Sequence, residues 1–320
     1  MSALRVLSPG GLALVQDLGR PGYEALGVPR AGAMDAFALQ AANLLVGNPA
    51  GAAALELLGG GAEFMAEAIT LFAVCGADLE ARLNGERIDL WRATRARPGA
   101  RLSFGGRTGR CGARAYLALA GGVDAPVVLG SRSAYLAGGF GRPLGMDDLI
   151  AAGRPQVDPD RIAGQGWPAG HRPAYTGDGP LRLLPGPHAG LLPGAFGWLL
   201  GARFTVSPTS NRQGLRLAGG GAFPHALSLP SLGVLPGAIQ LPPDGQPILL
   251  GADAQTTGGY PLIGMLIQAD APRAGQLLAG DGVRFAEVAE SEALAAWREM
   301  RRWIEAGPER DPWADTAGAG

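Results

Sequence analysis

Short apolar runs broken by glycine and proline recur along the whole chain. Ala68 to Cys75 and Val234 to Leu241 are typical: each is a handful of apolar residues closed off by turn formers. Punctuation of this kind predicts many short strands joined by tight turns, not disorder. Helical periodicity is confined to two segments. Ala36 to Val46 places Phe37, Ala41, Leu44 and Leu45 on one face, with Asp35 at the N-cap and Gly47 just past the end. Ser291 to Ala306 places Leu294, Trp297, Met300 and Ile304 in one stripe and stops at Gly307-Pro308.

With 320 residues the chain is long for a single core, and two domains are expected. A Pro/Gly-rich stretch with weak patterning, residues 153–179, reads as a linker between a first β domain over 1–152 and a second over 180–308. Residues 309–320 read as a loose tail. The halves echo each other. Leu4-Arg5-Val6-Leu7 answers Leu181-Arg182-Leu183-Leu184, and Leu26-Gly27-Val28 with Gly32-Ala33 answers Leu232-Gly233-Val234 with Gly237-Ala238. Gly99-Ala100-Arg101-Leu102-Ser103-Phe104 answers Gly280-Asp281-Gly282-Val283-Arg284-Phe285. Together these suggest a duplicated β module.

Charge narrows the function. The net charge of −1 gives no nucleic-acid or membrane footprint, and no apolar run approaches the ~20 residues of a membrane span. No signal-peptide core follows Met1, and Cys75 and Cys111 read as reduced core thiols, so a cytoplasmic location is expected. All 27 basic residues are arginine. The absence of lysine excludes a Walker A loop, Schiff-base chemistry and a lysine-tethered carrier. His171, His188 and His225 lack metal-ligand spacing, so no metal site is expected.

Several segments carry candidate chemistry. Gln16-Asp17-Leu18-Gly19-Arg20 offers Arg20 as a fork for a substrate carboxylate, or as the partner of Asp17 in a turn. Asn43 lies inside a helix it disfavours, which suggests a specific hydrogen bond, and Glu56 is an isolated acid in an apolar run. Ser131, Arg132 and Arg142 lie in a Gly/Arg-rich loop, either an anion nest or an ordinary turn. Polar residues are densest in the second half. Gln240 precedes the turn Pro243-Asp244-Gly245, and Asp253, Gln255, Thr256, Thr257, Gly258, Gly259 and Tyr260 follow the next strand. Acceptors, amides and hydroxyls between apolar strands, beside small residues, suit a small polar substrate. A hydrogen-bonded β-turn is the plain structural alternative.

Gln16-Asp17-Leu18-Gly19-Arg20, Gly32-Ala33-Met34-Asp35, Asn43-Leu44-Leu45-Val46-Gly47-Asn48, Gly130-Ser131-Arg132-Ser133, Gly237-Ala238-Ile239-Gln240, Asp244-Gly245-Gln246-Pro247 and Gln255-Thr256-Thr257-Gly258-Gly259-Tyr260-Pro261 together fit one pattern. The sequence resembles the 5-oxoprolinase C-subunit family (PxpC, KipA), also called allophanate hydrolase subunit 2, whose module also occurs in the carboxyltransferase region of urea carboxylase. The resemblance runs from about Leu4 to Phe285. It implies a mainly β fold of two tandem cyclophilin-like β-barrels with few helices. It further implies a KipI-like partner, the B subunit, sharing the site, and a third, LamB/YcsF-like A subunit.

The activity implied is ATP-dependent, amide-activating hydrolysis of a lactam or other small polar amide, with ATP shared with the partner and no turnover by the single chain. One alternative is a carboxyltransferase component served by biotin on another protein. Another is a regulatory binder of the KipI-like partner without catalysis. Arg212 is a further anion-binding candidate, and no nucleophile is assigned. Three positions depart from the family pattern: Leu262 where lysine is common, Leu229 where an acid is usual, and Asn211 where an aspartate usually precedes Arg212.

Overall fold

The computed structural model describes residues 2–108, 112–175 and 179–309. Cys111, residues 176–178 near the end of the expected linker and residues 310–320 of the expected tail lie outside them. Strand outweighs helix, 31% against 19%, as the scarcity of helical period predicts. The chain forms two compact units, neither continuous in sequence. Unit 1 comprises Met1–Gly19, Asp35–Pro173 and Arg302–Gly320; unit 2 comprises Arg20–Met34 and Ala174–Arg301.

Unit 1 contains two sheets. One has six strands in the order Leu149–Ala151, Ser2–Pro9, Ala62–Ala66, Arg101–Phe104, Ala81–Leu83 and Glu86–Arg87. The other has five: Leu12–Gln16, Ala54–Leu58, Arg114–Leu119, Thr70–Gly76 and Ala93–Ala96. Leu4, Val6, Phe64, Leu55, Leu57, Val74 and Leu117 belong to their common core. The helix Ala36–Leu45 lies on Thr70–Gly76 and Arg114–Leu119, and every residue of those two strands is buried. Cover on both faces explains why they read as unbroken apolar runs. The helix starts and stops where its caps predict. Asp35 accepts from Ala38 N–H at 2.9 Å, and Gly47 takes φ +72°.

The stretch 153–179, a linker by composition, is built into unit 1 as far as Pro173. Trp167 is 2% exposed and meets Phe37 edge-on, while Gln165 Nε2 donates to Leu45 O at 2.7 Å, satisfying a carbonyl at the helix end. Glu309, first of the expected tail, exchanges backbone bonds with Gly166, and Trp303 packs against Phe37 and stacks on His171.

A buried polar chain crosses unit 1. Asp35 N–H donates to Tyr116 Oη at 2.8 Å, Tyr116 Oη–H donates to Glu56 at 2.7 Å, and Arg114 lies 3.7 Å from Glu56. Glu56, isolated in sequence, is thereby a paired structural acid. Burial, reinforced by the Glu56 and Asp35 carboxylates, pushes the Tyr116 phenol well above its usual value; burial does the same to the Cys75 thiol. Unfolded Cys and Tyr ionise near pH ~8.5 and ~10, whereas the folded groups stay neutral. Their contribution is therefore present below those values and lost as pH rises beyond them. The thermal midpoint is expected to fall from about pH 8.5 upward, and less steeply in Cys75→Ala; an unchanged slope in that variant would refute the assignment.

Unit 2 is built on one eight-stranded sheet. Its order is Gly282–Val283, Phe204–Val206, Gly214–Gly219, Ile248–Leu250, Ala238–Gln240, Leu262–Leu266, Leu181–Pro185 and Phe285–Glu287. The two edge strands are separated in sequence by Arg284 alone, so the sheet curls to a nearly closed barrel. Side chains alternate. Ile239, Leu249 and Ile263 fill the main core, whereas Ala238, Leu250 and Leu262 face a second cluster with Val234 and Ala254. That cluster lies near a small ribbon, Leu232–Gly233 paired with Thr257–Gly258.

The structure qualifies the sequence echoes. Leu26–Ala33 and Leu232–Ala238 both belong to unit 2, so that pair does not relate one unit to the other. Gly99–Phe104 ends in one strand, whereas Val283 and Phe285 lie on opposite edges of a sheet. The helix Ala195–Gly201, unmarked in sequence, begins at Gly194 with φ +86° and no side-chain cap. The second periodic segment is a helix over Glu290–Ala306, followed by Gly307 at φ +70°. No helix among the described residues is long and apolar enough to cross a membrane.

Candidate functional site

The densest polar region of the sequence gathers at one edge of the unit 2 barrel. Gln240 ends its strand opposite Ile248 on one side and Leu262 on the other. It shares the outward phase of Ala238 and is 2% exposed. Exposed Gln255 donates from Nε2 to Gln240 Oε1 at 3.1 Å, which fixes the buried amide with its NH2 turned away. Thr257–Gly258 forms half of the small ribbon, Val234 N–H donates to Thr256 O at 3.0 Å, and Thr257 and Tyr260 are exposed.

Gly258 packs closely against the Gln240 amide. A Cβ there would stand 2.6 Å from Gln240 Nε2, and its φ lies outside the left-handed region. Space beside an amide, not backbone freedom, keeps the position empty. A Cβ at Gly259 would stand 3.0 Å from Leu229 O, so the ribbon and the 223–231 segment approach closely. Gly258→Ala is expected to displace Gln240 and lower stability by about 1–3 kcal/mol, read as the denaturant midpoint. A midpoint unchanged from the parent would show that the amide has room to move.

Asp253, read as a substrate acceptor, is held by Arg212. Nε donates to Oδ2 and Nη2 to Oδ1, both at 2.9 Å, and Nη2 also donates to Gly32 O. Their side chains are 10% and 7% exposed, so Arg212 meets a carboxylate of its own chain where an anion was expected. Arg20 belongs to the same unit, is 1% exposed, and takes Arg30 O on its backbone N–H at 2.8 Å.

The candidates of unit 1 lie in two other places. Asp17 is enclosed by the Ser131–Ser133 turn. Its Oδ1 accepts from Gly19 N–H at 2.8 Å, Ser131 Oγ at 2.6 Å and Ser133 Oγ at 2.5 Å, and its Oδ2 from Arg132 N–H at 2.6 Å. Arg132 bonds Ala125 O and lies 3.2 Å from Asp124. Arg142 forks onto Asp148 with both contacts at 2.7 Å, which raises the arginine and lowers the carboxyl from their ordinary values. The Gly/Arg-rich loop is thus knit by its own acids. Asn43 donates from Nδ2 to Leu39 O and Ala52 O and accepts from Asn48, joining the helix to the Gly121 turn through Asn48.

Two histidines, which the sequence marks only as lacking metal-ligand spacing, lie along the barrel edge. His188 Nδ1 accepts from Leu262 N–H at 3.0 Å, and His188 N–H donates to Leu262 O at 3.0 Å. His225 Nδ1 accepts from Leu227 N–H at 3.1 Å, with Nε2 2.9 Å from Leu241 O. In both, Nδ1 is taken up by a backbone N–H, which leaves Nε2 as the ring's donor position. Isolated histidines give no sign in sequence of such backbone bonding. No three His, Cys, Asp or Glu side chains among the described residues come together to hold a metal.

The carboxyltransferase domain, subdomain A and B, family matches residues 26–287, across both halves of the sequence. The chain belongs to that family. It is 38% identical to the 5-oxoprolinase C subunit of Escherichia coli strain K12, over 94% of this chain and 96% of that one. It is 32% identical to a putative urea carboxylase of Emericella nidulans over 95% of its own length but 26% of the relative's. Among solved structures, TTHA0988 gives a TM-score of 0.81 at 35% identity, covering 89% of this chain and 55% of that one. The Kluyveromyces lactis urea amidolyase gives 0.84 at 27%, covering 95% of this chain and 20% of that one. The chain therefore spans about half of TTHA0988 and about a fifth to a quarter of the urea-processing relatives.

Within this carboxyltransferase-domain chain, two of the three departures from the pattern have local explanations. Leu262 is 4% exposed in the outer cluster beside Gln240, where an ammonium would require a buried partner. Asn211 accepts Gln213 N–H on Oδ1 at 2.8 Å, a turn bond that aspartate would make equally well. Nothing in the structure explains Leu229, whose carbonyl alone approaches Gly259.

Proposed function

We propose that this chain is the C subunit of an ATP-dependent, amide-activating hydrolase of the 5-oxoprolinase type, working with a KipI-like B subunit. The supporting observation is end-to-end correspondence. The chain matches nearly the whole of a protein named as the C subunit of 5-oxoprolinase, whereas it matches only a segment of the urea-processing enzymes. The barrel edge is consistent with this role, because Gln240 and Gln255 present amide groups suited to another amide. Phosphate binding fits this chain poorly. Arg132, Arg142 and Arg212 each face an aspartate, so of the ATP shared with the partner the phosphates are proposed to rest chiefly on the partner.

Co-expression with candidate B and A subunits tests the reading. A stable complex burying more than ~1,200 Å² is expected to elute together and to release glutamate from 5-oxoproline only with ATP. The single chain is expected to be silent. Independent elution at micromolar concentration, or full activity of the chain alone, would sink the proposal.

A second reading, a carboxyltransferase component served by biotin on another protein, draws support from the family match and the urea amidolyase fold. It requires avidin-sensitive carboxylation of urea by the assembled proteins, which the first reading does not.

A further inference from the structure

Two buried amide atoms of unit 2, Gln240 Nε2 and Gln246 Oε1, have no hydrogen-bond partner among the described residues. They are opposite in kind: the first donates and the second accepts. Both belong to one hairpin, closed by Gly245 N–H donating to Pro242 O at 2.9 Å. Gln240 pairs directly with Ile248; Gln246 precedes that strand by two residues, and continuing the register through Pro247 puts it diagonal to Gln240, about 7–8 Å away. Alternation gives the two a common face. Leu241 and Leu249 belong to the inner core, Ile248 packs on the outer cluster, and Gln246 is in phase with Ile248.

Burying a polar amide atom without a partner costs stability, and most such atoms in folded proteins are satisfied. Here Gln255 holds the orientation of Gln240 by occupying its Oε1, and Gly258 withholds a side chain from the NH2. A donor and an acceptor on one face that do not bond each other are the complement of a single group. That group is the cis N–H/C=O edge of an amide, which a lactam ring presents on one side.

We propose that Gln240 and Gln246 together read this edge, Gln240 donating to the substrate carbonyl oxygen and Gln246 accepting from its N–H. The ligand class is a small cis amide. Gln246 becomes a specificity residue, separating an amide from an ester of the same shape. The proposal rests on the amide-processing reading above, but its test requires no turnover.

The full-length chain is titrated by ligand-observed NMR with 2-pyrrolidone, which has both groups, γ-butyrolactone, which lacks the N–H, and pyrrolidine, which lacks the carbonyl. The lactam is expected to bind about five- to tenfold tighter than the lactone. Gln246→Met should abolish that preference by weakening the lactam alone. Gln240→Glu keeps an acceptor for Gln255 but offers no donor, and should weaken lactam and lactone alike. Equal binding of lactam and lactone by the parent chain, an intact preference in Gln246→Met, or no saturable binding would each overturn the proposal. If a variant fails to fold, the parent's lactam-to-lactone ratio decides alone. Turnover by the assembled complex with KM untouched by Gln246→Met would overturn this inference and leave the hydrolase reading standing. The amide preference without turnover would do the reverse.

Discussion

Arg212→Ala is expected to destabilise unit 2 by about 3–5 kcal/mol, because it strips a buried carboxylate of both fork bonds and frees Gly32 O as well. The cost comes chiefly from stranding Asp253 at 7% exposure, not from losing an attraction. Removing both charges should therefore be far milder than removing one. Arg212→Met with Asp253→Leu should recover most of the loss, a coupling that a double-mutant cycle in urea reads directly. Additive losses in the cycle would show that the fork is not the unit of stability. Anion binding gives a second readout, since a ligand-binding arginine would make the parent chain's midpoint rise with added phosphate, and the paired one should not respond.

Asp17→Ala is expected to cost unit 1 about 3–5 kcal/mol, since one side chain satisfies two serine hydroxyls and two backbone N–H groups. Asp17→Asn retains Oδ1 for three of those donors but turns an NH2 toward Arg132 N–H, so it should fall between the parent and alanine. The discriminating measurement is hydrogen exchange across residues 130–134. Local loss of protection there with a small change elsewhere fits a clamp; unchanged exchange would show that the turn holds itself.

Legibility in the sequence tracked the distance between interacting residues. The helix from Ala36 was readable because Asp35 and Gly47 lie at its own ends, and the Asp244-Gly245 turn because turn chemistry is local. The region Gln240 to Tyr260 was readable as polar and small between strands, and Gln240, Gln255 and Gly258 do come together. What stayed hidden was pairing over long separations. Arg212 stands out in a chain without lysine, but nothing nearby announces Asp253, 41 residues on, as its partner. Gln165 looked like part of a spacer because the carbonyl it satisfies lies 120 residues earlier. Gln246 drew no notice because an unsatisfied atom exists only once every other partner has been placed.

The exchange of segments between the units constrains how the chain folds as it is made. The first unit reserves a place for Trp303 against Phe37 and His171, and for Glu309 against Gly166. A ribosome working from the N-terminus delivers those residues only after nearly all of the second unit. Conversely, Arg20–Met34 emerges early but must wait for strands that begin only at Leu181. Vectorial synthesis therefore cannot complete one unit and then begin the other. The first unit stays incomplete until the residues that follow most of the second have been made.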